Sequence, residues 1–328
     1  MFAIKPLIRS LTPPVLYAGA ASLIGRSKKV PLIVDVPPAA IPIVAGEPPT
    51  IAMDESPTIV ADVHGVPIRM ERGHALPHYV ASHPLYDSAI GYIVKHLRDR
   101  AARPIIVIDV GANIGDTACL AARLVAKDDV EFICVEGSED FLDLLRENTR
   151  DLRAEIVHAI AGESTAAANK KVVTLDVGTS FVADGGSSYE TTLDGIVRGR
   201  HIDLIKVDTD GYEMQVIRGS KETIKRCSPD LFLEYAPHHI RTYGKTEPRD
   251  ILKELVSIGY EHALAYDNLG HAIGVLPLLG EALDVLTTYS ESRSGFYLDM
   301  HLSKDSASLR DFAAGEMIRT NTATLSGY

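Results

Sequence analysis

The chain has 328 residues, 46% hydrophobic and 23% charged, a composition that buries a core and excludes a wholly disordered protein. Its 33 basic and 44 acidic residues leave a formal charge of −11, which argues against a general nucleic-acid-binding surface. The cysteines Cys119, Cys134 and Cys227 have no CxxC spacing and sit in apolar stretches. That argues for a reducing, cytoplasmic setting and against a disulfide framework or structural zinc.

Residues 1–30 carry Lys5, Arg9, Arg26, Lys28 and Lys29 and no acid. The apolar stretch between these basic ends is broken by Pro13-Pro14, which disfavours a secretory signal. Two readings stay open: a solvated leader, or peripheral contact with an anionic membrane surface. No run of about 18 apolar residues exists to span a bilayer. Half of the 18 prolines fall in residues 1–50, so 31–57 reads as an extended linker. An ordered domain is expected over 58–302, with a polar tail over 303–328 that frays.

Residues 58–62 and 67–70 alternate around His64-Gly65, which predicts a hairpin. Ile90, Ile93, Val94 and Leu97 share a face of a helix over 86–102. These elements make up an N-terminal part, 58–102. From 103 to 236 the chain alternates buried strands with amphipathic helices. Strands are expected at 105–110, 130–135, 156–161, 202–207 and 231–233. Helices are expected at 116–127, after Ser138, and at 192–198, with an extra edge piece at 172–175. In the C-terminal part, 237–302, a helix is expected at 250–258, followed by a strand pair at 260–266 and 271–275 turning at Asn268-Leu269-Gly270. Residues 296–300 close the sheet. Repeated βα units predict an open, mostly parallel α/β sheet with its ligand at the carboxyl ends of the strands.

The end of the first strand reads Asp109-Val-Gly111-Ala-Asn113-Ile-Gly115-Asp116-Thr117. This is G-x-x-x-G. It lacks the G-x-G-x-x-G of dinucleotide sites and the G-K-[ST] of a triphosphate loop. An acid at Asp109 would repel a pyrophosphate but suit a ligand with an ammonium group and a ribose. Glu136, ending the next strand, is placed to accept ribose hydroxyls. S-adenosylmethionine carries both features. A tight turn with capping acids is the plain structural alternative.

Over about residues 105–234 the chain resembles the FkbM-type methyltransferases, a branch of the class I S-adenosylmethionine-dependent enzymes. One block of the resemblance is 109–115 with Thr117. A second is Glu136 with Phe141, Leu145 and Asn148. The third is Thr192-Leu193-Asp194, then Lys206-Val-Asp208-Thr-Asp210-Gly211-Tyr-Glu213, Gly219 and Glu234. Two positions depart from the family's pattern: Gly137 where it usually has proline, and Asp210 where it usually has glutamate. The resemblance implies a Rossmann-like class I sheet, mostly parallel with a late antiparallel strand and helices on both faces. It implies S-adenosylmethionine bound by Asp109, Gly111, Asn113, Gly115, Thr117, Glu136 and Ala161. It also implies O-methylation of a small-molecule or glycan acceptor, and no nucleic-acid partner.

Methyl transfer from a sulfonium needs alignment, plus a base when the nucleophile is a hydroxyl. Asp208 is the expected base, with Lys206 on the same sheet face as its counter-charge. Glu213 and Glu234 are expected to brace the acids or contact the substrate, and His238, with His239 beside it, to help as acid or base; that pair also reads as ordinary surface. Asp194 is family-like, and also reads as a helix cap. No metal is expected, and chelation should leave S-adenosylmethionine binding intact. The rival reading takes Asp208-Thr209-Asp210 as the D-x-D of a metal-dependent glycosyltransferase. A third is a non-catalytic binding module.

Overall fold

The computed structural model describes residues 56–176, 179–293 and 295–326. The leader and nearly all of the linker lie outside the described residues. A compact unit begins at Thr58. There β1 (Thr58–Val63) and β2 (Val66–Glu71) pair antiparallel. Both turn residues, His64 and Gly65, have positive φ, the backbone that a two-residue hairpin turn of type I′ demands. The helix expected over 86–102 is α2 (Ala89–Arg100), and a further helix that was not expected, α1 (Leu76–Ser82), precedes it. Pro84 stands between them and cannot continue the first. α2 buries Ile90, Ile93 and Val94.

Next come β3 (Ile105–Val110), α3 (Asp116–Ala122), β4 (Val130–Glu136), α4 (Leu142–Thr149) and β5 (Ala154–His158). The expected strand 156–161 is divided: its pairing with β4 ends, where β4 ends, at the bond from Ala159 N–H to Glu136 O, 3.0 Å. The chain then leaves the main sheet. β6 (Ile160–Ala161), β7 (Ala166–Asp176), β8 (Thr179–Asp184) and β9 (Ser188–Thr191) form a separate four-stranded sheet in the order β6-β9-β7-β8. The piece expected at 172–175 therefore belongs to that sheet and not to the edge of the main one.

The chain re-enters through α5 (Leu193–Val197) and β10 (Leu204–Val207), then α6 (Glu213–Arg218), α7 (Lys221–Cys227) and β11 (Asp230–Tyr235). It continues with α8 (Pro237–Thr242), α9 (Pro248–Ser257), β12 (His262–Asp267) and β13 (Ala272–Pro277). It ends with α10 (Glu281–Glu291), β14 (Leu298–Leu302) and α11 (Ser306–Ser326).

The main sheet runs β13-β12-β14-β11-β10-β3-β4-β5. From β11 to β5 all neighbours are parallel, while β14 inserts antiparallel between β11 and β12. Helices cover both faces: α2, α3, α4 and α11 pack on one, α5, α6, α9 and α10 on the other. This is the Rossmann-like class I sheet, with its late antiparallel strand.

Residues 306–326, expected as a fraying tail, are instead a docked helix. Leu309, Phe312 and Ala313 are buried against the sheet. Buried Glu316 accepts from Tyr266 Oη at 3.1 Å and from the Arg319 guanidinium at 2.7 Å. The polar composition misled because it is spent on a buried network. Among the described residues, no helix is long and apolar enough to cross a membrane.

Candidate active site

Parallel pairing aligns Lys206 with Asp109, so both side chains leave the same face of the sheet at the carboxyl ends of β10 and β3. Lys206 Nζ lies 3.1 Å from Asp109 Oδ1 and 3.3 Å from Asp208 Oδ2, and donates to Gly111 O at 3.1 Å. Lys206 and Asp109 are buried, whereas the Asp208 side chain is 41% exposed. One buried cation thus ties together the first strand end, the glycine loop and an acid open to solvent. The expected Lys206–Asp208 pair is present, and Asp109 joins it.

The loop is held from both sides. Gly111 and Ala112 N–H both reach Val135 O. Gly111 has φ +77°, and a Cβ there would sit 1.8 Å from Asp208 O. The reason for glycine is the close approach of the β10 end, so Gly111→Val would damage the fold as well as any ligand contact. Gly115 serves helix packing: its Cβ would strike Leu145 and Thr149 of α4. Asn148, on α4, donates to Ile114 O and Arg69 O at 2.8 Å and staples the loop to β2. Thr117 lies in the first turn of α3, where its N–H helps to stabilise the Asp116 carboxylate.

Glu136 is buried at the end of β4. Its Oε2 accepts from Asn113 N–H at 2.8 Å and its Oε1 from Ser138 N–H at 2.7 Å. Each carboxylate oxygen keeps further lone pairs, so the two anchors fix the acid without exhausting it as an acceptor. Asp109 Oδ2 and Asn113 Oδ1 are buried without a hydrogen-bond partner, and Asp109 Oδ1 has only its ion pair with Lys206. Such orphaned acceptors call for a donor-rich ligand. An ammonium group and a ribose diol, the polar ends of S-adenosylmethionine, fit them. Ala161 does not join this set: it is buried among residues of the opposite face of the sheet, with Val110 and Val135. Gly137, which departs from the family's proline, lies where a Cβ would meet Val172 of β7 at 2.8 Å. The second sheet occupies the room a proline ring would need.

Glu213 is 1% exposed and acts as a clamp. Its Oε1 accepts from Thr209 N–H, Thr209 Oγ1 and Gly211 N–H at 2.9–3.3 Å, fixing the loop on both sides of Asp210. Asp210 has φ +50°, its Oδ2 accepts from Ser180 N–H of β8 at 2.9 Å, and its Oδ1 lies 3.0 Å from His239 Nδ1. Glu234 Oε1 is 3.9 Å from the same nitrogen. The histidine that meets the acids is therefore His239. His238, the residue chosen from the sequence, is exposed, because successive residues of α8 point about 100° apart and only one faces inward. Asp194 is a cap: its carboxylate accepts from Thr223 and Glu222 N–H at the start of α7. Asp208 faces Lys206 and Asp210 faces His239, so a D-x-D pair sharing one cation would have to place that cation against a buried ammonium.

The structure adds acids that sequence reasoning missed. Asp87, between α1 and α2, and Asp299, aligned with Glu234 on β14, interact electrostatically with Asp208. No strand-end pattern marks Asp87. Asp299 lies within the expected closing strand and could have been found from its place beside Glu234. Burial pushes Asp109 up to about 6 against the opposing pull of Lys206. Burial lifts Glu213 to about 7 against its hydrogen bonds. It lifts Asp87 to about 8, with Asp116 and Asp208 adding to the rise. Burial pulls the Lys206 ammonium down, but Asp109 and then Asp208 outweigh it, and its pKa rises. Carboxyl groups raised on folding bind more protons in the folded than in the unfolded chain. Stability is then greatest at the acid end of the window and falls as pH rises from about 4 to about 8, while Lys206 stays charged throughout. The cofactor-free chain should melt at a higher temperature near about pH 5.5 than near about pH 8. Calorimetric melting checks this, and the reverse order would contradict it.

Residues 109–262 match the methyltransferase FkbM domain. The hexuronic acid methyltransferase AglP of Haloferax volcanii is 23% identical over 171 residues, covering 50% of this chain and 66% of the relative, just under two thirds of its length. The structure of methyltransferase FkbM from Methylobacillus flagellatus is 20% identical, with a TM-score of 0.35 over 48% of this chain and 36% of that one. A SAM-dependent methyltransferase from Agrobacterium tumefaciens is 10% identical, with a TM-score of 0.42 over 77% of this chain and 72% of that one. Over residues 109–262 the chain is thus similar to the FkbM methyltransferase domain, and S-adenosylmethionine is the methyl donor that this similarity implies.

Proposed function

We propose that the chain transfers a methyl group from S-adenosylmethionine to a hydroxyl oxygen of a sugar, on a glycan or a small molecule. The observation that carries this reading is the Asp109–Lys206–Asp208 array, with one buried acid beside the glycine loop that keeps an unpartnered oxygen and one solvent-facing acid beyond it. The bound cofactor supplies an electrophilic methyl on a positively charged sulfur. Asp109 takes the ammonium of its amino-acid end, and Glu136 takes the ribose hydroxyls. Asp208 receives the proton of the acceptor hydroxyl as the oxygen–carbon bond forms. Lys206 holds Asp208 and Asp109 in register. Glu213, through Thr209 and Gly211, fixes the loop that carries Asp208. A sugar acceptor is favoured by the relative that acts on hexuronic acid.

Incubation with methyl-labelled S-adenosylmethionine and a panel of neutral sugars, uronic acids and their glycans tests the reading. Label should appear as a base-stable methyl ether. Label only in base-labile ester or in amine products would overturn O-methylation of a hydroxyl.

Glu136→Ala should weaken S-adenosylmethionine binding by about 1.5–3 kcal/mol, the range for charge-assisted hydrogen bonds. Part of that loss will come through Asn113, whose N–H the same carboxylate holds. Calorimetric titration of a folded variant with unchanged affinity would remove Glu136 from the site.

A further inference from the structure

We propose that Asp210, Glu234 and His239 form a binding site for one divalent first-row transition cation beside Asp208. The three residues come from different elements: the loop after β10, strand β11 and helix α8. One ligand atom from each lies within 4.8 Å of the others. His239 Nδ1 is 3.0 Å from Asp210 Oδ1 and 3.9 Å from Glu234 Oε1. Ligands about 2.0–2.2 Å from a shared ion stand about 3–3.5 Å apart, so only Glu234 must close in, by a small side-chain rotation.

His239 Nδ1 is buried and, despite its 3.0 Å approach to Asp210, makes no aligned hydrogen bond. A proton shared with Asp210 would lie along that line; a lone pair turned to a common centre would not. Asp210 Oδ2 is already taken by Ser180 N–H, which leaves Oδ1 as a single ligand atom. Glu213 supplies an independent sign: it is 1% exposed, its Oε2 has no partner, and it interacts electrostatically with Asp210, Glu234 and His239. Lys206, the buried cation nearby, is engaged by Asp109 and Asp208. Among the described residues, His239 is the one basic group within ion-pair distance of Asp210 and Glu234.

Two carboxylates and an imidazole suit Mn²⁺ and its neighbours better than Mg²⁺, which prefers oxygen throughout. Three protein ligands leave open positions, and an acceptor would fill them with two oxygens, from a diol or from the carboxylate and hydroxyl of a uronic acid. That last assignment rests on the proposed O-methylation; the cation site itself does not.

The test is titration of Mn²⁺ into metal-stripped full-length protein, without cofactor or acceptor, following the free ion by electron paramagnetic resonance. One Mn²⁺ per chain should bind. His239→Ala and Glu234→Gln should each weaken it at least about tenfold, while S-adenosylmethionine still binds and shows each variant to be folded. Absence of stoichiometric binding, or binding indifferent to both substitutions, would overturn the site. Labelled methyl ether formed by protein that takes up no Mn²⁺ in the titration would overturn the site and leave the methyltransferase reading standing. Stoichiometric, His239-dependent Mn²⁺ binding by protein that methylates no hydroxyl would do the opposite.

Discussion

Asp208→Asn should lower turnover of methyl transfer by about 10²–10⁴-fold, the usual contribution of a positioned general base, with S-adenosylmethionine affinity changed by less than about threefold. The expectation follows from position. Asp208 directly follows β10, its backbone N–H is fixed to Val110 O at 3.1 Å, and its carboxylate is 41% exposed. Asp109 and Glu136 are buried instead, and face the loop. An amide keeps the size of the side chain and a hydrogen bond to the acceptor but cannot take its proton. Single-turnover kinetics with labelled cofactor would separate the chemical step from binding. A variant that turns over within about threefold of the parent would show that the proton leaves by another route.

Lys206→Met should destabilise the fold by about 3–5 kcal/mol, because it strands a buried carboxylate. Asp109 is 1% exposed, with Lys206 its only close cation among the described residues. The lost ammonium also leaves Gly111 O without its donor. The cost should come mostly from the unpaired charge. Adding Asp109→Asn to Lys206→Met should therefore recover much of the stability, although S-adenosylmethionine binding stays impaired. Urea unfolding of the three proteins measures this. A single variant as stable as the parent, or a double variant worse than the sum of its parts, would contradict the account.

The parallel core was legible because strands buried on both faces are almost wholly apolar and end in acids, as in residues 105–110 and 130–136. Those ends also exposed Asp109, Glu136, Lys206 and Asp208, whose register depends only on strand alternation. Residues 166–184 gave less: the apolar run at 172–175 marked one edge piece, but not the separate sheet, which depends on tertiary contacts such as Ser180 with Asp210. His239 against His238 could not be decided without knowing where α8 begins, since one residue of helix phase exchanges them. Asp87 reaches the acids only through tertiary packing of the N-terminal part. The helix α11 hid behind polar residues that pair with one another once buried.

Calorimetric titration of the full chain with S-adenosylmethionine, NADH and a uridine diphosphate sugar with Mn²⁺ tests the central claim most directly. S-adenosylmethionine should bind with one site per chain, and neither NADH nor the sugar nucleotide should bind. Binding of the sugar nucleotide with Mn²⁺ and no heat from S-adenosylmethionine would contradict the account and return Asp208-Thr209-Asp210 to the glycosyltransferase reading.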